Sequence, residues 1–193
     1  MNISTCEFCK SELEYLGYII TREGVRPKMK KVEAIRQIEK PKTKKQLRCF
    51  IGMVNYYRDV WPRRAHILAP LSELTSKNAK FKWTEKHQKA FDEMKEVIAK
   101  ETLLAYPDFN KPFHIYTDAS DVQLGACISQ EGKPVAFYSR KLNSAQTRYT
   151  ITEQELLAIV ETLKEFRTIL LGQQLIIHTD HLNLTYKDFS SEC

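Results

Sequence analysis

Two runs, Ile115-Tyr116-Thr117-Asp118 and Ile176-Ile177-His178-Thr179-Asp180, decide the fold. Each is a stretch of apolar and β-branched residues that finishes in Thr-Asp, the composition of a buried strand closed by turn chemistry. Between them, residues 151–171 place Leu156, Leu157, Ile159, Val160, Leu163 and Phe166 at helical spacing, and Gly172 supplies a stop. A strand, a helix and a second strand in that order make a crossover and at least one parallel strand pair. Working outward, residues 113–117, 124–129, 135–139 and 175–179 read as four strands. Gln130-Glu131-Gly132-Lys133 joins the middle two as a hairpin. This half is therefore α/β, with a mixed sheet and a crossover helix.

The carboxyl ends of parallel strands are where open α/β sheets hold ligands, and Asp118 and Asp180 would lie there. The helix between them carries Glu153 and Glu155 in its first turn, either of which could reach the same edge. Three converging carboxylates repel one another unless hard cations neutralise them. Mg²⁺ suits oxygen ligands, and two such ions about 3.5–4 Å apart would activate water for phosphodiester hydrolysis. Plainer chemistry accounts for the same letters. Asp after a strand is common in turns, and Thr152-Glu153-Gln154-Glu155 fits a capping box. Spacing alone leaves both readings open.

Upstream, the grammar is mostly helical. Residues 15–20 read as a strand that breaks at Thr21-Arg22-Glu23-Gly24. After Pro27, the residues Met29, Val32, Ala34, Ile35 and Ile38 have roughly helical spacing, and Pro41 ends the helix. Thr43-Lys44-Lys45-Gln46 is a capping-box signature opening a helix that buries Leu47, Phe50, Ile51, Val54 and Tyr57 and stops before Pro62. Residues 65–74 read as a shorter piece interrupted by Pro70. Trp83-Thr84 opens a further helix with Ala90, Phe91, Met94, Val97 and Ile98 on one stripe. Residues 106–112 carry loop chemistry and mark the expected domain boundary.

The chain has 193 residues and a net charge of +6, unevenly spread. Residues 1–110 hold 22 Lys and Arg against 14 Asp and Glu, and residues 22–64 alone hold 14 against 4. Residues 111–193 hold 8 against 10. A basic block beside a mildly acidic one suits a phosphate-gripping part joined to a carboxylate-bearing part, and equally a solvated basic surface. No apolar run approaches the roughly 20 residues of a membrane span, and residues 1–14 carry acids without an apolar block. An intracellular protein of cytoplasm or nucleus, with no membrane partner, is expected. Five cysteines fit a reducing compartment better than a disulfide framework. Cys6 and Cys9 have CxxC spacing but no second pair, so a zinc site is not expected.

Longer motifs carry a resemblance. Leu16-Gly17-Tyr18, Glu23-Gly24-Val25, Lys31-Val32-Glu33-Ala34-Ile35, the run from Leu47 to Arg58, Ala69-Pro70-Leu71 and Phe81-Lys82-Trp83-Thr84 resemble the reverse transcriptase of gypsy-type long-terminal-repeat retrotransposons. Tyr116-Thr117-Asp118-Ala119-Ser120, Gly125-Ala126, Ser139-Arg140-Lys141-Leu142, Glu155-Leu156-Leu157-Ala158-Ile159-Val160 and Thr179-Asp180-His181 resemble the ribonuclease H domain of the same Pol polyprotein. The resemblance implies the end of a palm with its primer-grip hairpin over residues 1–25 and a helical thumb over 26–78. It implies a connecting helix and linker over 79–110, then a C-terminally truncated ribonuclease H-like domain over 111–193. It selects Asp118, Glu155 and Asp180 as the catalytic, metal-binding acids. These would hold two Mg²⁺ ions that direct water onto the RNA strand of an RNA–DNA hybrid. It also points to Leu16, Gly17, Lys28, Lys31, Lys44, Lys45, Arg48 and Arg58 as contacts to a hybrid or primer–template duplex, with Tyr56 and Tyr57 as packing residues and base stacking as their alternative role. The remainder of a Pol polyprotein is the implied partner. The polymerase aspartates and a fourth metal-binding acid are not found in the sequence, and Asp188 is too near Asp180 to replace that acid. Polymerisation by this chain alone is not expected. The family is that of RNA-directed DNA polymerases and hybrid-cleaving ribonucleases, and a non-catalytic nucleic-acid-binding remnant or an inactive relic of a retrotransposon is the alternative.

Overall fold

The computed structural model describes residues 10–100, 102–180 and 184. The chain opens with a three-stranded antiparallel sheet, β1 (Glu12–Tyr15), β2 (Tyr18–Thr21) and β3 (Val25–Pro27). The expected single strand over 15–20 is instead two strands meeting at Leu16-Gly17, with Tyr15 paired to Tyr18. Both turn residues have positive φ, 48° and 82°. This is the two-residue pattern whose twist matches a hairpin, so an apolar letter at Leu16 hides a turn.

Four helices follow: α1 (Met29–Arg36), α2 (Lys44–Tyr56), α3 (Arg64–Leu74) and α4 (Glu85–Ala99). Thr43 caps α2, its hydroxyl accepting from the Gln46 amide, while the Gln46 side chain reaches one residue further back, to the Lys42 amide at 2.7 Å. Helix α3 runs unbroken through Pro70, where an interruption was expected. An internal proline costs about 3 kcal/mol. Ile67, Leu68, Leu71 and Leu74 are all buried, and at roughly 1.5–3 kcal/mol each their packing exceeds that cost. Together α1–α4 enclose a cluster centred on Leu47, Phe50, Val54, Trp61, Leu71, Phe91 and Met94.

The second half is a four-stranded mixed sheet in the order β6-β5-β4-β7. Its strands are β4 (Phe113–Ser120), β5 (Gln123–Gln130), β6 (Lys133–Lys141) and β7 (Leu175–His178). The β4–β7 pair is parallel, as the strand–helix–strand reading required. The crossover is α5 (Ile151–Glu165) followed by a short α6 (Arg167–Leu170), because the helix breaks at Phe166 rather than running to 171. Phe113, Ile115, Leu124, Ile128, Ala158, Phe166 and Leu170 form the second core.

Backbone hydrogen bonds tie the halves together. Leu104 bridges Val25 in both directions at 2.8 and 2.9 Å, Ala105 donates to the Pro134 carbonyl at 2.7 Å, and Phe137 donates to the Asp59 carbonyl at 2.9 Å. Among the described residues, no helix is long and apolar enough to cross a membrane.

Candidate functional site

Strand β4 alternates: Phe113, Ile115 and Thr117 are buried, while Tyr116 and Asp118 are exposed. This alternation is what a half-covered strand imposes. The β4–β7 register pairs Phe113 with Leu175 and Tyr116 with His178, an offset of 62 positions. Carried two residues past the last ladder pair, that offset sets Asp180 level with Asp118. Asp180 itself lies in a bend beyond β7 and is exposed.

Helix α5 sorts its two acids into separate tasks. Thr150, not Thr152, is the N-cap, and Glu153 completes the capping box by accepting from the Thr150 amide at 2.7 Å and its hydroxyl at 2.9 Å. These bonds, the backbone one foremost, hold the Glu153 carboxyl below its ordinary range. Glu155 lies one step further round the helix and is 5% exposed. Its Oε1 accepts from the Ala119 amide at 3.0 Å, next to Asp118. The capping reading of Thr152 and Glu155 is thereby overturned, since the cap is taken by Thr150 and Glu153.

Asp118, Glu155 and Asp180 are oxygen donors of the kind Mg²⁺ takes, and they occupy neighbouring strand ends and the crossover helix. The donor chemistry fits the ion. Closure is another matter: among the described residues, no three His, Cys, Asp or Glu side chains are grouped tightly enough to hold a metal. Asp118 stands on the exposed side of the β4 alternation, whereas Glu155 reaches that strand through a backbone amide.

A ridge absent from the sequence-level expectations leads up to Asp118. His114 Nδ1 lies 2.9 Å from His178 Nε2 across the parallel pair. The Tyr116 ring stacks on His178 at 4.3 Å and 7°. The signal was present in the alternation of His114, Tyr116 and Asp118, but the partner could be found only from the register. His181, Asp188, Cys6 and Cys9 lie outside the described residues.

The expected nucleic-acid contacts divide. Arg58 pairs with Glu165 at 2.5 Å and with Asp59 at 3.4 Å, joining the helical half to α5. Arg48 donates to the Thr75 carbonyl and Lys44 to the Ser76 carbonyl, both at 2.7 Å, and Lys28 pairs with Glu14. The exposed side chains of Lys31 and Lys45 make no ion pair or hydrogen bond among the described residues. Lys31 lines a cavity of about 650 Å³ with Gly17, Gly52, Met53, Tyr56 and Tyr57. Leu16, next in sequence to Gly17, is 66% exposed at the tip of the β1–β2 hairpin.

A mixed sheet crossed by α5, with acids at its parallel strand ends, defines a ribonuclease H-like domain. Residues 83–177 match the family described as the RNase H-like domain found in reverse transcriptase. Over 188 residues the chain is 40% identical to the retrovirus-related Pol polyprotein from transposon 297 of Drosophila melanogaster, covering 96% of this chain and 18% of that protein. It is 36% identical over 191 residues to the transposon Tf2-3 polyprotein of Schizosaccharomyces pombe, covering 95% of this chain and 14% of that one. A solved foamy viral protease–reverse transcriptase in complex with RNA/DNA hybrid is similar in fold, with a TM-score of 0.76 at 25% identity, over 87% of this chain and 24% of that one. Residues 83–177 thus match the RNase H-like domain found in reverse transcriptase, and the chain is similar over nearly its whole length to retrotransposon Pol polyproteins, of whose length it spans less than a fifth.

Proposed function

We propose that this chain serves reverse transcription as a duplex-holding thumb joined to a ribonuclease that cuts the RNA strand of RNA–DNA hybrids. The observation that carries the reading is Glu155, a carboxylate buried on the crossover helix with its Oε1 on the Ala119 amide beside Asp118. The Ala119 amide holds Glu155 against the strand that bears Asp118, and the cap of α5 is made by Glu153 instead. Asp118, Glu155 and Asp180 would hold Mg²⁺, which when bound supplies an activated water and stabilises the leaving oxygen. Glu155 is oriented by the Ala119 amide. Asp118 is presented to solvent at the end of the His114–Tyr116 ridge, where a phosphodiester can approach. The basic excess of residues 22–64, with Lys31 and Lys45 uncommitted, would grip backbone phosphates. An RNA–DNA hybrid bound by the structurally similar foamy viral enzyme supports that choice of partner.

The test is Mg²⁺-dependent cleavage of the RNA strand of a labelled hybrid by the purified chain, abolished in Asp118→Asn. Intact RNA at ample Mg²⁺ overturns the catalytic reading. A second reading, duplex binding without cleavage, is favoured by the lack of a tight three-ligand group among the described residues. It requires hybrid binding that weakens steeply with salt and is unchanged in Asp118→Asn.

A further inference from the structure

Two hairpins in this chain turn on the same backbone geometry and differ in what they present. At the β5–β6 turn, Glu131 and Gly132 have φ of 51° and 76°. At the β1–β2 turn, Leu16 and Gly17 have 48° and 82°. A non-glycine residue in this left-handed region costs on the order of 1–2 kcal/mol, least for Asn or Asp, whose short side chains suit it. Glu131 is a charged tip that pairs with Lys111 at 2.9 Å. Leu16 is an apolar tip, two-thirds exposed, and it packs into no core cluster.

What holds the Leu16 turn is a clamp from the end of α2. Tyr56 Oη donates to the Leu16 carbonyl at 2.5 Å, and Tyr57 Oη donates to the Gly17 carbonyl at 3.0 Å. The Lys28 amide also donates to the Gly17 carbonyl, at 2.9 Å. The rings lock against one another: Tyr56 meets Tyr57 edge-on at 4.9 Å, and Tyr18, the first residue after the turn, meets Tyr57 edge-on at 5.1 Å. Both central carbonyls of the turn are thus fixed from the helix side, and the Leu16 side chain is left to solvent, while the adjoining Gly17 lines one cavity with Lys31. A hydrophobic contact between turn and helix would have required Leu16 to fold inward; hydroxyl-to-carbonyl bonds fix the turn while keeping that side chain out. Tyr56 and Tyr57 were expected to pack in preference to stacking on bases.

We propose that Tyr56 and Tyr57 are positioning residues whose hydroxyls hold the Leu16–Gly17 turn in its strained form, so that Leu16 is presented as an apolar contact to a bound duplex. The inference rests on the duplex-binding reading above. Leu16 meets the sugar and base surface of the groove, and Lys31 meets phosphate. The turn and α2 move as one piece, so the tip keeps its place relative to the basic helix surface.

The experiment measures binding of a fluorescently labelled RNA–DNA hybrid across a salt series, with thermal unfolding in parallel, for the wild-type chain, Tyr56→Phe/Tyr57→Phe, Leu16→Asn, and the triple variant. Phenylalanine keeps the rings and removes only the hydroxyls. The double variant should bind about five- to tenfold more weakly, the loss expected from one or two hydrogen bonds that set a contact. Leu16→Asn relieves the turn, so its melting temperature should rise while its affinity falls by a similar factor. The slope of log affinity against log salt should stay unchanged in both, because no phosphate contact is lost. The triple variant should lose no more than Leu16→Asn alone, since both changes act through one contact. A merely structural clamp would lower stability and affinity together and add to Leu16→Asn. Wild-type affinity in the double variant or in Leu16→Asn overturns the inference, as does a fall in melting temperature for Leu16→Asn. A wild-type chain that fails to bind the hybrid overturns the duplex-binding reading itself, and the inference with it.

Discussion

Ser139 of β6 caps a helix in the other half of the molecule. Its Oγ accepts from the Ala65 amide at 2.8 Å, in the first turn of α3. Its carbonyl accepts from Arg64 Nη2 at 3.1 Å. The residue that should cap α3 locally, Arg63, has φ of 52° and offers no side-chain bond. Burial lowers the Arg64 pKa, with Arg58 adding to that effect and Asp59 opposing it; the guanidinium stays charged, and the Ser139 carbonyl helps to offset the burial of that charge.

Ser139→Ala should therefore cost about 1–2 kcal/mol, the upper part of the range for a lost N-cap, because Ser139 is buried and water cannot replace it easily. Urea denaturation should show a lower midpoint with an unchanged slope. Hydrogen exchange should quicken at the Ala65 amide. A midpoint equal to wild type would show that α3 is capped some other way.

Three glycines should respond to alanine with different signs. A Cβ on Gly24 would lie 2.2 Å from the Leu104 carbonyl oxygen. That oxygen is bonded to the neighbouring Val25 amide, so neither side can yield without parting the bridge between the hairpin and the linker. Gly24→Ala should cost about 2–4 kcal/mol, two backbone bonds and the strain of separating them. Gly132→Ala meets open space but sits at φ 76°, so about 1 kcal/mol is expected. Gly52, in the middle of α2, also meets nothing, and Gly52→Ala should stabilise by about 0.5–1 kcal/mol. Equilibrium unfolding of the three variants under one set of conditions checks the order.

The two acids of α5 should separate stability from chemistry. Glu153→Gln weakens the capping box and should lower the melting temperature slightly, while hybrid cleavage by the folded protein persists. Part of the Glu153 contribution should also vanish in acid. Its folded pKa is depressed, so the stabilisation is present above the ordinary carboxylate range and disappears as pH falls through the folded value. Glu155→Gln keeps the side-chain oxygen that accepts from Ala119 and removes the charge. The fold should persist while Mg²⁺-dependent cleavage is lost. Cleavage that survives Glu155→Gln but not Glu153→Gln would reverse the assignment.

Much of this layout could be read from the letters. Residues 113–118 and 176–180 had the composition of buried strands, and the helix between them forced a parallel pair. The stripes of α2 and α4 named their buried residues because a 3.6-residue period is a local property. What the letters hid depends on distant partners. Leu16 looks like strand, since the Tyr56 and Tyr57 hydroxyls that help to hold its turn stand some 40 residues away. Pro70 looks like a break because its compensation is packing against other helices. Glu153 and Glu155 differ only in which way the first turn of α5 faces, and that orientation is fixed by Thr150. Arg58 looks like a free cation until Glu165, 107 residues on, is brought beside it.

Tyr18 gives the fold an alkaline limit. Burial, and then the negative charge of Asp59, push its phenol up to about 12 from an ordinary 10.0. In the unfolded chain the proton leaves near the ordinary value. Between about pH 10 and about pH 12 the folded state holds the proton and the unfolded state has released it, so stability falls as pH rises through that window. Burial raises Tyr57 and Tyr138 in the same direction, so they contribute to the same fall. Urea midpoints measured from neutral pH into the alkaline range should decline for the wild-type chain. Tyr18→Phe should decline less steeply, keeping only the part that the other buried phenols supply. Equal slopes for the two proteins would mean that Tyr18 ionises as freely in the hairpin as in water, and that the Tyr18–Tyr57 contact leaves its hydroxyl open to solvent.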